Sequence, residues 1–249
     1  MLTLRGRHYR TVPITEPGYV QEDLELEPSS TALVAMHCWN IGCQGGPEID
    51  PDYWVGMGFP VAHREAERIM VLQIRPAMDA ARDAGVLVCH VESETIRINR
   101  STDRDQKEET KREPGSWRER IAWRSHGRNY PSRSPLTRMD RAELLEPLDG
   151  EPLVFTTEEL HGVLQERGIE NLVYSGFATD MCVLRAPGGV EPMAARSYRM
   201  FLLRDATVGV ECPDTFDERL ATRWAIRYFE THFGDTFTTA DFIAACRSL

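Results

Sequence analysis

Apolar runs of strand length alternate with amphipathic stretches along most of this chain. Five or six strands are predicted from these runs, at 31–36, 86–91, 151–155, 171–174, 199–203 and, as a short last strand, near 236. Residues 61–84, 158–167 and 216–233 have the pattern of helices, and a kink is expected at Pro76 in the first of them. The regular succession of helix and strand predicts parallel strand pairing through right-handed crossovers.

This succession predicts an α/β fold with three α/β/α layers and a mostly parallel, Rossmann-like sheet in a single domain. A length of 249 residues suits one such domain. Residues 1–29 mix prolines with acidic residues, which indicates an N-terminal extended arm lying on the domain or on a neighbour. The domain itself is expected to span 30–249, with a charged insertion at about 97–145, called the charged segment below.

Candidate chemistry follows the first and fourth predicted strands. His37 and Asn40 come just after the run 31–36, and Cys182 comes shortly after the run 171–174. Parallel strands bring such positions to one edge of the sheet, where ligands bind in open α/β folds. A thiol at the start of a helix there has a lowered pKa, so Cys182 is expected to be the most reactive of the six cysteines. The alternative is a small buried hydrophobic residue.

The stretch Gly176-Phe-Ala-Thr-Asp-Met-Cys182-Val resembles the Gly-x-Ala-Thr-x-x-Cys-Val signature of the isochorismatase-like cysteine hydrolases, and the likeness continues in order from about Ser30 to the C-terminus. The resemblance implies amide hydrolysis, in which a cysteine thiolate attacks a carbonyl and backbone N–H groups hold the oxyanion. It places the oxyanion site near Ala178 and Thr179, and implies a non-proline cis peptide bond before Ala178. Asn40 and Trp39 are expected to contact substrate.

Two positions depart from the pattern of that family. His37 stands where the family has an aspartate that acts as general base, and Thr156 or Thr157 holds the place of the family lysine. His37 is either a base for Cys182, with activity rising through about pH 6 to 7, or a neutral core histidine of a site that has lost activity. Thr156 is either a substrate contact or, with Glu159 three residues later, the N-cap of a helix.

Composition narrows the possible partners. A net charge of −10 argues against nucleic-acid binding, and no apolar run approaches the 18 residues of a membrane span. The six scattered cysteines favour free thiols in the cytoplasm, and no phosphate-binding glycine motif indicates a nucleotide cofactor. His90 and Glu92 lie two apart on a strand, and for His90 a structural role is favoured over metal binding. Neither cofactor nor metal is therefore expected.

In the charged segment, basic residues outnumber acidic ones between Arg97 and Arg141. Its length predicts a lid that favours an anionic small-molecule substrate, or else a solvated loop or a contact between subunits of a homo-oligomer. Three functions stay open for the whole chain. They are a cysteine hydrolase of a small amide, ureide or related C–N bond, a catalytically silent relative that binds a small molecule or partner, and an isochorismatase-type enol-ether hydrolase.

Overall fold

One sheet runs through the centre of the protein. The computed structural model describes residues 1–51, 58–101, 116–128 and 130–249, with 118, 131 and 132 described by their backbone alone. In these ranges the sheet has eight strands in the order β2-β1-β8-β7-β6-β3-β4-β5. The strands are β1 Leu2–Arg10, β2 Gly18–Leu26, β3 Thr31–Met36, β4 Leu87–Val91, β5 Leu153–Val154, β6 Asn171–Phe177, β7 Arg199–Val208 and β8 Gly234–Phe237.

Helices cover both faces of this sheet. In chain order the helices of the described ranges are α1 Pro60–Ile69, α2 Arg75–Asp83, α3 Glu94–Arg100, α4 Trp117–His126, α5 Tyr130–Arg133, α6 Thr157–Glu166, α7 Val190–Ala194, α8 Leu220–His232 and α9 Thr239–Arg247. One buried apolar cluster packs α1, α2 and α9 on the sheet, and a second packs α6, α7 and α8 on the opposite face. Strands β3 to β8 pair in parallel. The predicted three-layer, mostly parallel α/β fold is confirmed.

The predicted count of five or six strands is too low, because the N-terminal segment supplies two more. β1 and β2 pair in antiparallel register from Leu2 opposite Leu26 to Arg10 opposite Gly18, and β1 continues the sheet beside β8. Leu2, Leu4 and Leu26 are buried, whereas the acidic residues of β2 lie on its exposed positions. The acidic residues that suggested a separate arm are thus exposed residues of a strand at the edge of the sheet.

The predicted irregularity before Pro76 is present as a π turn. Met70–Ile74 separates α1 from α2, and the amide of Arg75 donates to the carbonyl of Met70, five residues earlier. A proline lacks an N–H donor and its ring crowds the carbonyl four residues before it, so a wider turn accommodates it. Gly85 follows α2 at φ +73°, a conformation that favours glycine at a helix end. No helix of the described ranges is long and apolar enough to cross a membrane.

The strand order reverses between β3 and β6. The chain builds β4 and β5 on one side of β3, then returns to place β6, β7 and β8 on the other side. Open α/β sheets bind ligands at such a point, beyond the carboxyl ends of the strands. Gly176 in β6 lets the two strands approach here, since a Cβ on it would lie 1.9 Å from the carbonyl oxygen of Met36.

Candidate functional site

Cys182 lies in a tight turn beyond the end of β6, at this point of strand reversal. The turn Thr179–Val183 is a π turn in which the carbonyl of Ala178 accepts from the amides of Met181 and Val183, both at 3.1 Å. The peptide bond between Phe177 and Ala178 is cis, as the resemblance implies. Helix α7 begins only at Val190, so the break predicted from the following Pro-Gly-Gly is confirmed.

The thiol of Cys182 is half-buried and protonated near neutral pH. Burial raises its pKa to about 11, hydrogen bonding by the backbone of Ala178 lowers it, and the charges of Glu92 and Asp180 raise it further. The lowered pKa expected from the strand-end position is therefore wrong, because burial and two carboxylates outweigh the turn. At pH 7 a thiol of that pKa is ionised to only about one part in ten thousand, so a reaction at this sulfur needs a proton acceptor.

His37 follows β3 directly, with its backbone in the left-handed region at φ +46°. A residue other than glycine rarely adopts this conformation, which concentrates at functional sites. Its Nδ1 atom is buried and has no hydrogen-bond partner among the residues described. Burial, and secondarily the charge of Arg141, lowers the ring pKa to about 3. An activity that rises through pH 6 to 7 would therefore report the titration of another group.

A small internal cavity opens beside His37. Three ring nitrogens at it are buried without a hydrogen-bond partner in the described ranges, namely His37 Nδ1, His63 Nε2 and Trp39 Nε1. Burial also lowers the pKa of His63, to about 4, so both histidine rings are neutral at physiological pH. The cavity thus offers neutral donors and acceptors, and its lining residues are His37, Trp39, Ile41, His63, Ala66 and Phe177.

A buried ion pair that the sequence analysis does not identify lies at the ends of β3 and β4. Glu92 follows β4, and its Oε1 accepts from Arg141 Nη1 at 2.5 Å and from the backbone amide of Cys38 at 3.0 Å. Both side chains of the pair are fully buried. The Cys38 bond brings the Glu92 carboxylate across to the end of β3, beside the place where the family pattern has its own carboxylate. Glu92 Oε2 has no partner among the described residues.

The other donors of Arg141 fix it in a polar network under this pair. Arg141 Nε donates to the carbonyl of Leu145 at 2.7 Å, and Nη2 lies 2.6 Å from His90 Nδ1. The opposite ring nitrogen of His90 lies 2.8 Å from Glu151, which also pairs with Arg82. Burial, then Arg141, lowers the pKa of His90 to about 3, so the ring is neutral. With both nitrogens occupied, the structural role predicted for His90 is confirmed.

The last part of the charged segment delivers Arg141 by pairing with the chain that follows β3. Asn40 donates its backbone N–H to the carbonyl of Asp140 at 2.8 Å, and its Oδ1 accepts from the Asp140 amide at 2.9 Å. Trp39 and Arg141 form an antiparallel bridge, and the Ala142 amide donates to the Cys38 carbonyl at 2.8 Å. The side-chain oxygen of Asn40 is thus engaged in holding this segment, while the Trp39 ring borders the cavity.

Two threonines singled out from the sequence have structural partners. Thr156 is the N-cap of α6, where its Oγ1 accepts from the Glu159 amide at 3.1 Å and the Glu159 side chain accepts in return, which confirms the capping-box interpretation. Thr179 is fully buried, and its hydroxyl lies 2.6 Å from that of Thr207. Because the Thr179 hydroxyl is already hydrogen-bonded, only the backbone amide of Thr179 is available to bind an oxyanion.

Other arginines of the charged segment also have acidic partners within the chain. Arg97 lies 2.6 Å from Glu159, Arg100 lies 2.6 Å from Asp140, and Arg133 pairs with Asp50. These pairs dock the described parts of the segment on their own domain. Residues 102–115 of the predicted lid lie outside the described residues.

Comparison with known proteins agrees with this geometry. A family model described as the isochorismatase domain matches residues 145–241, which include Cys182. The ureidoacrylate amidohydrolase RutB of Rhizobium rhizogenes is 28% identical over 94% of this chain and 90% of that protein. The protein of the same name from Agrobacterium fabrum is 27% identical over 89% of this chain and 92% of its own length. Residues 145–241 of this chain are therefore similar to an isochorismatase domain.

Solved structures share the fold of this chain. A cysteine hydrolase from Pseudomonas syringae pv. phaseolicola superposes with a TM-score of 0.60 at 18% identity, covering 90% of this chain and 96% of the other. An isochorismatase from Pseudomonas putida superposes with a TM-score of 0.50 at 20% identity, covering 87% and 92%. The order of elements predicted from the sequence is therefore that of a known architecture.

The buried histidines of this chain predict a loss of stability in acid. His37, His63 and His90 remain neutral when folded but bind protons below about pH 6.5 when unfolded. Burial raises the pKa of Glu92 to about 7, so in this range the folded chain binds one proton on Glu92 that the unfolded chain does not. This proton offsets one of the three bound by the histidines of the unfolded chain. Between about pH 6.5 and 4.5 the unfolded chain therefore holds about two more protons, and the free energy of unfolding should fall by roughly 2.7 kcal/mol per pH unit of acidification.

Urea unfolding at pH 7.5, 6.5 and 5.5 measures this slope. The variant His63→Gln removes one titrating ring, so its slope should be smaller by about 1.4 kcal/mol per pH unit. His232→Gln, which changes an exposed ring on α8, is the matched control and should leave the slope unchanged. A free energy of unfolding that is constant between pH 6.5 and 5.5 would contradict the burial of three neutral histidines.

Proposed function

We propose that this protein is a cysteine hydrolase that cleaves the C–N bond of a small amide or ureide, with Cys182 as the nucleophile. The observation that carries the proposal is the placing of a thiol at the point of strand reversal, in a turn whose Ala178 backbone hydrogen-bonds to it. The names of the two curated relatives, both ureidoacrylate amidohydrolases, support a C–N bond as the target.

The reaction has two halves. The sulfur of Cys182 bonds to the carbonyl carbon after losing its proton, and the C–N bond breaks as the leaving nitrogen takes up a proton, which leaves an acyl or carbamoyl thioester. Water then adds to the thioester carbon and the C–S bond breaks, which restores the thiol. The amides of Ala178 and Thr179 are the proposed donors to the oxyanion, since the Ala178 amide already lies beside the sulfur.

His37 is proposed as a neutral contact of the substrate. Its pKa of about 3 makes the ring a weak proton acceptor, whereas its unpartnered Nδ1 is free to make a hydrogen bond. Together with Trp39 and His63 it lines a cavity with room for about one water molecule, so the proposed contact is with a single N–H or C=O group of the substrate. Neutral ring groups suit a neutral reacting end better than a charged one.

The protein is proposed to prefer a substrate whose negative charge lies at the end far from the Cys182 sulfur. Glu92 and Asp180 both act electrostatically on Cys182, so a carboxylate placed next to the sulfur would be repelled. A carboxylate is therefore proposed only at the end of the substrate farther from the sulfur.

A panel of paired substrates tests the proposed function. Ureidoacrylate and its saturated analogue ureidopropionate are each supplied as the acid and as the amide, and ammonia release is measured. We expect turnover of ureides, with the acid forms favoured through a lower KM. Turnover of an enol ether without release of ammonia would indicate an isochorismatase-type hydrolase instead. Binding of a ureide without turnover at any pH would indicate a catalytically silent relative.

The same proposal includes a cytoplasmic homo-oligomer. All six cysteines are free thiols, which suits a reducing compartment. Leu220 and Trp224 lie four residues apart on α8 and are 45% and 53% exposed, which supports a contact with a second copy through this face. Sedimentation velocity measures the assembly, and a single species at the mass of one chain would reject it.

A further inference from the structure

Glu92 is a buried carboxylate with one oxygen that the fold leaves unused. Glu92 is 1% exposed. Its Oε1 accepts two hydrogen bonds, one from Arg141 and one from the Cys38 amide. Oε2 is buried and makes no hydrogen bond to any described residue. Burying a charged group costs free energy unless its atoms are hydrogen-bonded. A buried carboxylate oxygen without a hydrogen bond therefore needs a functional explanation.

The carboxylate of Glu92 lies between the two strand ends that form the site. Glu92 follows β4, but its bond to Cys38 carries the carboxylate to the end of β3, the strand that pairs directly with β6. Cys182 lies five residues beyond the end of β6, and the charge of Glu92 acts on its thiol. The unused oxygen and the thiol that needs a proton acceptor therefore belong to the same site.

We propose that Glu92 is the general base of the reaction at Cys182, and that Arg141 is the positioning residue that holds it. The proposal deepens the hydrolase function given above and rests on it. The S–H bond of Cys182 breaks as an O–H bond forms on Glu92 Oε2, and the electron pair left on sulfur attacks the carbonyl carbon. The proton on Glu92 then passes to the leaving nitrogen.

In the second half of the reaction Glu92 takes a proton from the attacking water. That proton returns to the sulfur as the C–S bond breaks, so the thiol and the carboxylate are both restored. Arg141 stays protonated throughout, and its bonds to His90 and to the Leu145 carbonyl keep it in place when the charge of Glu92 changes. No oxidant, metal or further reactant enters these steps.

The other candidate acceptors at the strand ends are less suited to this role. His37 is a poor acceptor at a pKa of about 3. Asp180 is only partly buried, and its Oδ1 accepts from the Val210 amide at 2.8 Å. Burial raises the pKa of Glu92 to about 7, while Arg141, the Cys38 amide and Arg100 lower it. A base with a pKa close to the working pH combines proton affinity with a large ionised fraction.

The variant Glu92→Gln tests the proposal, because glutamine keeps the shape and an acceptor for Cys38 and Arg141 but is not a base. We expect kcat/KM to fall by about a hundredfold or more. The parent's rise in kcat/KM through about pH 7 should disappear, with KM little changed. Glu92→Asp restores a carboxylate and should recover the pH-dependent rise at a reduced rate. Glu151→Gln alters the far end of the same network and is the matched control, expected to keep the pH profile.

A second measurement does not depend on the substrate or on the folding of a variant. The rate at which iodoacetamide alkylates Cys182 in the parent protein is followed by peptide mass spectrometry from pH 5 to 10. We expect a step in rate with a midpoint near pH 7, since ionised Glu92 assists loss of the thiol proton. A rate that rises only towards the pKa of the thiol itself, with no step near pH 7, would overturn the role of Glu92.

The outcomes separate this inference from the hydrolase function. A folded Glu92→Gln protein with the parental kcat/KM and pH profile overturns the role of Glu92, while loss of activity in Cys182→Ala would still support the hydrolase. Retained activity in Cys182→Ala overturns the hydrolase mechanism itself, whatever the Glu92 variants show.

Discussion

Replacing Cys182 with alanine will reduce hydrolysis of the preferred ureide by at least about a thousandfold in kcat/KM. The sulfur is the nucleophile that the turn Thr179–Val183 presents beside the Ala178 amide. Alanine removes the atom that bonds to the carbonyl carbon but retains the backbone donors. Substrate binding should therefore persist, and the loss should appear in kcat. Steady-state ammonia release, together with calorimetric binding of the same ureide, measures the two separately.

Cys212→Ala is the matched control for this loss. Cys212 is also a half-buried free thiol, and its hydrogen bonds within the described ranges, to Thr215 and Phe216, are made by its backbone amide and carbonyl. This variant should keep the parental rate within about twofold. Cys182→Ala protein that retained more than a tenth of the parental rate would show that the sulfur is not the nucleophile.

Replacing Arg141 with methionine will destabilise the protein by about 3 to 5 kcal/mol at pH 8, because it leaves the buried Glu92 carboxylate unpaired. The change also removes the donors to His90 and to the Leu145 carbonyl. Methionine is chosen because it fills much of the same volume without a charge. Chemical denaturation of parent and variant at equal pH gives the difference in the free energy of unfolding.

The double variant Glu92→Gln with Arg141→Met identifies the cause of this loss. Because it removes both charges, it should be more stable than Arg141→Met alone. The penalty of Arg141→Met should also shrink between pH 8 and pH 6, since an unpaired buried carboxylate takes up a proton and its cost is relieved. A penalty below about 1 kcal/mol at both pH values would contradict a buried, ionised pair.

The central part of the fold is predictable because its strands are apolar on both faces. Runs such as 31–36 and 171–174 leave little choice of structure, and they correspond to β3 and β6. The N-terminal hairpin is harder to predict, because β2 exposes a row of acidic residues and shows only weak alternation. Its strands are fixed by pairing with each other and with β8, a contact more than two hundred residues away in sequence.

Local motifs of the site are predictable and long-range ones are not. The cap formed by Thr156 and Glu159 depends on residues three apart, and the sequence identifies it correctly. Glu92 and Arg141 are 49 residues apart, and Arg141 is one of many arginines in the charged segment. The sequence carries one local sign of this pair. Glu92 and His90 lie two residues apart and so share a strand face, and in the structure both side chains contact the Arg141 guanidinium.

The most direct test of a covalent hydrolase mechanism is to capture the thioester on Cys182. The parent protein and Cys182→Ala are mixed with saturating ureide, quenched in acid within milliseconds to seconds, and examined by intact-protein and peptide mass spectrometry. The account predicts that the parent gains the mass of one acyl or carbamoyl group on the peptide containing Cys182, that this group decays as the substrate is consumed, and that the variant gains none. Turnover of the ureide with no adduct at any quench time, and at an undiminished rate in Cys182→Ala, would contradict it.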